Sequence, residues 1–157
     1  MDLRRNSWFL LLLPLFWAAC SQGELVREEQ HFGAGGWHRD QPAVFEVEVQ
    51  DTTHLLDIGL TLTHGEDYPY SNLWVFVDVE PENGPALRDT LEFFLSETSG
   101  EWLGRQRGDR VEVSAYYQHG VRLARPGTYR FSFQQGMRRE LLPEMFQIEF
   151  WVTTINE

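Results

Sequence analysis

Three observations predict an all-β fold, an antiparallel β-sandwich of about seven or eight strands. Apolar residues recur at every second position in successive segments, and no segment holds a helical period beyond about two turns. Those segments are rich in β-branched and aromatic residues, and aromatics make up 14% of the chain, enough for a core without disulfide staples. Turn chemistry separates them at Pro81-Glu82-Asn83-Gly84-Pro85, Ser99-Gly100 and Pro126-Gly127.

The chain opens with Arg4 and Arg5 before the apolar run from Trp8 to Trp17. That run suits a signal-peptide core and is too short to span a bilayer. Small residues Ala18 and Ala19 precede Cys20, the one cysteine of the chain, as at a bacterial lipoprotein cleavage site. Residues 1–19 are therefore expected to be a lipoprotein signal peptide, with Cys20 the acylated residue. An ordinary secretory signal ending near a chance cysteine is the plainer alternative. Residues 20–42 are expected to be the lipidated N-terminus and a polar tether, with Phe32 and Trp37 docking on the domain edge. Residues 43–157 are expected to be the sandwich domain.

Within that domain, Phe45, Val47 and Val49 alternate with Glu46 and Glu48. Ile58, Leu60 and Leu62 repeat the pattern. Next, Leu73, Val75, Val77 and Val79 share one face, while Trp74, Phe76 and Asp78 share the other. Two largely apolar faces predict a central strand covered on both sides. Leu87, Leu91, Phe93 and Leu95 are expected inward, then Val111, Val113, Ala115 and Tyr117, then Tyr129, Phe131 and Phe133. Gly136–Glu144 reads as a short helical or turn segment. Phe146, Ile148, Phe150 and Val152 form the last inward row.

The net charge of -11 argues against a nucleic-acid partner. All thirteen basic residues are arginine, which excludes lysine chemistry. His31, His38, His54, His64 and His119 show no zinc-motif spacing, and surface or loop roles are expected for them. Glu66, Asp67, Asp78, Glu80 and Glu82 read as a solvated acidic edge rather than a calcium loop. Serine-nucleophile and phosphate-loop motifs are missing. No catalytic, metal or cofactor residue is expected, and the chain reads as a non-enzyme. The aromatics Tyr68, Tyr70, Trp74, Trp102, Tyr116, Tyr117 and Trp151 have two readings. Buried, they fill the sandwich; exposed, they would stack on sugars or anchor a protein. Tyr68, Tyr70, Trp74, Trp102 and Trp151 are the candidate partner-binding set, with Trp151 outward by alternation.

Several blocks then carry a resemblance. They are Cys20 after its short signal, Tyr68-Pro69-Tyr70-Ser71-Asn72-Leu73-Trp74, Asp89-Thr90-Leu91-Glu92, and Gly100-Glu101-Trp102-Leu103-Gly104. Gly127-Thr128-Tyr129-Arg130-Phe131 and Gln135-Gly136-Met137-Arg138 with Leu141-Leu142 complete it. In that order they resemble the gliding motility lipoprotein GldH family. Pro143-Glu144 departs from the family, which tends to have glycine there. The resemblance implies a lipid-anchored protein of the cell envelope, at the outer membrane. It implies association with the gliding machinery and the type IX secretion system; the anchor, the missing reactive constellation and the outward aromatics add the expectation of a non-catalytic scaffold or stabilising component. Its partners would be the membrane, through Cys20, and other gliding or secretion proteins. A surface carbohydrate-binding β-sandwich lipoprotein is the alternative.

Overall fold

A computed structural model describes residues 23–155. The apolar run and Cys20 lie outside the described residues. Eleven strands follow one another: β1 (Glu24–His31), β2 (Trp37–His38), β3 (Ala43–Val49), β4 (Leu55–Gly65), β5 (Asn72–Pro81), β6 (Leu87–Phe94), β7 (Arg105–Arg107), β8 (Arg110–Val121), β9 (Gly127–Gln135), β10 (Leu141–Leu142) and β11 (Met145–Ile155). Among the described residues there is no helix, and so none long and apolar enough to cross a membrane.

Two antiparallel sheets carry the body, in the orders β1-β11-β4-β8-β7 and β3-β9-β5-β6, and β10 with β2 forms a small ladder. The inward rows meet as the alternation predicts. Phe45, Phe131 and Phe133 from one sheet pack on Phe150 from the other, at ring distances of 5.2, 5.0 and 5.6 Å. All four are buried. Burial of each of these rings contributes about 2–3 kcal/mol to the core. Along one side of the sandwich β1 and β3 come together. The all-β sandwich is therefore the observed fold.

Several details differ from the sequence reading, each for a physical reason. Part of the segment read as a tether, Glu24–His31, is a strand paired with β11 from Glu24↔Thr153 to His31↔Gln147. It is a largely wet edge strand with only Val26 against the core, so main-chain bonds hold it and no apolar alternation marks it. Trp37 does more than dock: it is wholly buried, stacks on Phe32 at 4.6 Å, and its Nε1 donates to Gln41 O at 2.9 Å. β5 is central in its sheet, with β9 and β6 on either side. Its second face is nonetheless open, with Trp74 39% exposed. Leu87 stands at the sheet edge, 53% exposed, instead of in the core.

Phe146 is only half-buried, because β11 shifts register against β4 between Met145 and Gln147. That irregularity turns Met145 inward, and the Arg110 guanidinium lies 4.6 Å over the Phe146 ring. Of the two readings for residues 136–144, the turn holds and the helix does not: they form bends, a turn at 143–144 and the β10 ladder. Glu144 there has φ 61, the left-handed region where a side chain costs about 1–2 kcal/mol and glycine costs little.

Candidate functional surface

The candidate aromatics fall into two places. Trp151 lies on the outer face of the five-stranded sheet. Its register partners are Arg27 on β1 and Gly59 on β4, and Gly59 in turn pairs with Tyr116 on β8. A Cβ at Gly59 would overlap the Trp151 ring, so the glycine lets the indole lie flat across β4. Tyr116, 59% exposed, meets Trp151 edge-on at 5.3 Å. His119 sits 5.2 Å from Tyr116, and its Nδ1 is 2.7 Å from Asp57 Oδ1. Arg27 closes the row with ion pairs to Glu149 at 2.6 Å and Glu24 at 2.8 Å. Sequence alternation placed Trp151 on this face but did not link it to Gly59, Tyr116 and His119, which only the strand register brings together.

Tyr68, Tyr70, Trp74 and Trp102 gather at the end of the sandwich opposite the start of β1. They do not form one surface. Tyr68 is 3% exposed and belongs to the core, and its hydroxyl donates to Asn72 O at 3.1 Å. The turn after β4 carries the ring inward, a placement that strand alternation does not address. Trp102 is half-buried beside it, 4.6 Å from His64.

His64 itself is wholly buried, contrary to the surface or loop role expected of it. The alternating row placed Ile58, Leu60 and Leu62 inward, but at the end of β4 Thr63, His64 and Gly65 are all enclosed. His64 Nδ1 donates to Gly65 O at 2.8 Å, so the proton resides there and Nε2 carries a lone pair without a partner. Burial pulls this imidazole below the ordinary histidine range, and the bond to Gly65 O only partly opposes it. Burial likewise pushes the Tyr68 hydroxyl up.

Tyr70 and Trp74 remain accessible. With Asn72, Gly136, Met137 and Arg138 they line a shallow cavity of about 350 Å³. The turn beside it is organised by a residue to which the sequence reading gave no structural role. Gln135 is fully buried; its Nε2 donates to Arg139 O and Glu140 O at 2.9 and 3.1 Å, and its Oε1 accepts from Met137 N at 2.9 Å. One amide thus shapes the turn after β9. A glutamine at an inward position of an otherwise aromatic strand was the available signal. Gly136 N donates to Trp74 O at 2.7 Å and locks that turn against β5.

The acidic residues of β5 are matched to arginines: Asp78 with Arg88 at 3.4 Å and Glu80 with Arg130 at 3.0 Å. Among the described residues no group of three or more histidine, cysteine or acidic side chains converges as a metal site would require. The arrangement offers packing and stacking surfaces.

Residues 24–150 match the family described as GldH lipoprotein. The gliding motility lipoprotein GldH homolog of Christiangramia forsetii is 35% identical over 131 residues, covering 83% of this chain and 79% of that protein. The gliding motility lipoprotein GldH of Flavobacterium johnsoniae is 28% identical over 134 residues, covering 85% of this chain and 82% of that one. Among solved structures, dimeric latent PorU from Porphyromonas gingivalis aligns at 11% identity with a TM-score of 0.29, over 87% of this chain and 14% of its own. That likeness is too slight to carry an argument. The match to the family runs through every strand from β1 into β11, and the chain belongs to the GldH lipoprotein family.

Proposed function

We propose that this protein is a lipid-anchored envelope component of the gliding machinery, associated with type IX secretion, that scaffolds or stabilises its neighbours without catalysis. The observation that carries this reading is the family match over residues 24–150, with two relatives named as gliding motility lipoproteins. Acylation at Cys20 would fix the body close to the bilayer. Only Ser21, Gln22 and Gly23 separate that cysteine from β1, and three residues reach at most about 10 Å. An outer-membrane site is the localisation we assign. The accessible aromatics, Tyr70 and Trp74 at the far end and Trp151 on the sheet face, would serve as contacts with other envelope proteins. The buried histidine is sealed beneath Tyr68 and Trp102, which favours a structural part for it.

The test is crosslinking and mass spectrometry in native envelopes. Because the chain has no lysine, amine-reactive reagents will miss it; carboxylate-directed or photoactivated linkers are required. Gliding or secretion proteins among the adducts are expected. Adducts that contain none of them would overturn the assignment. Glycan binding lost on Trp151→Ala or Trp102→Ala would instead favour the carbohydrate-binding reading.

A further inference from the structure

The sandwich is closed along one side and open along the other. Where β1 and β3 meet, the outer edge of β1 carries Glu24, Arg27, Glu28, Glu29 and His31, charges that discourage strand pairing. The opposite side is different. Among the described residues, β6 is the last strand of its sheet and pairs only with β5. Among the described residues, β7 covers β8 only at Arg110–Glu112 and no strand pairs with the rest of that edge, as far as Val121. Two unpaired main-chain edges therefore face the same gap.

That gap is a cleft of about 420 Å³. Leu91 and Phe93 form one wall, Val113 and Ala115 the other, and Phe94 and Tyr116 stand at the mouth. Phe94 is 63% exposed, a large apolar surface for an edge strand to leave in water. Both ends of the gap are fixed. Tyr117 Oη donates to Asp89 Oδ2 at 2.6 Å near one end, and Leu103 N donates to Leu95 O at 2.8 Å at the other. The cleft is held open in advance, which lowers the ordering cost of filling it. Glu92 is the single charged residue of its lining.

We propose that this cleft is a strand-acceptor site. Its occupant is an extended segment of another protein that adds alongside β6 and continues the four-stranded sheet. Main-chain bonds to β6 supply the affinity and alternate side chains the specificity. Positions facing Leu91 and Phe93 must be apolar. A position on the outer face, beside Glu92, must be basic. A segment of about five or six residues spans Asp89 to Phe94 at the ordinary strand rise. Trp74 lies directly across from Glu92 in the β5–β6 register, so the site is continuous with the accessible aromatic surface. The inference stands on edge geometry and charge, and it survives if the gliding assignment fails.

The experiment places a photoactivated amino acid at Phe94 or Tyr116 of the full chain in native envelopes, with Glu28 on the β1 edge as control. The adducted peptide is sequenced, synthesised and added to the purified protein. Support consists of one defined segment, alternately apolar and carrying an arginine or lysine, that slows amide exchange along β6. Its affinity must also fall about tenfold in Glu92→Gln, a change that keeps an oxygen for the Asn72 amide while removing the charge. Unchanged amide exchange along β1 would confirm that the fold is intact. The proposal fails if adducts form equally at Glu28. It also fails if they join only a second copy or the chain's own first 22 residues, or if the peptide leaves β6 exchange unaltered.

Discussion

Among single residues, His64 makes the firmest prediction. Its folded-state pKa is lowered by burial, so below about pH 6.5 the unfolded chain takes up a proton that the folded chain resists. Stability contributed by the neutral ring is complete above that pH and declines as pH falls toward the folded value. The slope is up to about 1.4 kcal/mol per pH unit for one proton. His64→Leu should remove that part of the slope. Gly65 O keeps a partner in the variant, because Tyr68 N also donates to it at 3.2 Å. Urea denaturation of both proteins at pH 7 and pH 5 checks this; parallel losses in the two would contradict it. Period two carries the inward row Ile58, Leu60 and Leu62 on to His64, but the sequence reading ended that row at Leu62. A histidine at a strand end next to Gly65-Glu66-Asp67 looks like the start of a loop, and the packing of Tyr68 and Trp102 over it makes it a core position. Alternation placed Gln135 inward, but its role was not legible, since its partners are carbonyls four and five residues on, in a turn with no regular period.

At the level of strands, legibility follows burial. β3, β9 and β11 each bury one face, so their period of two could be read directly. β1 sets only Val26 against the core, and ELVREEQH carries no such signal. The two-residue ladder of β2 and β10 exists only because the chain brings distant residues together. Phe146 shows how a single register shift defeats alternation. The cross-strand row Trp151–Gly59–Tyr116 gives the test at this scale. Gly59→Ala places a methyl where the indole lies and should cost about 1–3 kcal/mol in thermal or urea denaturation as the ring is displaced. Gly33→Ala, with open space around it, should change stability by less than about 0.5 kcal/mol. Equal effects would mean that the indole does not depend on that glycine.

For the molecule as a whole, the two-layer architecture was legible because its inward rows are long and aromatic. The asymmetry of its edges was not, since an edge is defined by which strands fail to pair. Anchoring belongs to this scale as well. Cys20→Ser should abolish labelled-palmitate incorporation and move the protein out of the membrane fraction; unchanged incorporation would refute the anchor. A mechanical consequence follows from the ladder between β1 and β11. Antiparallel hydrogen bonds run across the strand axis, and β1 starts at Glu24, four positions after the proposed anchor. Tension entering there and leaving through the far end of the body runs along β1, so the bonds from Glu24↔Thr153 to His31↔Gln147 are loaded in shear, all together. A strand docked that way resists pulling as a lap joint does and cannot be peeled open one bond at a time.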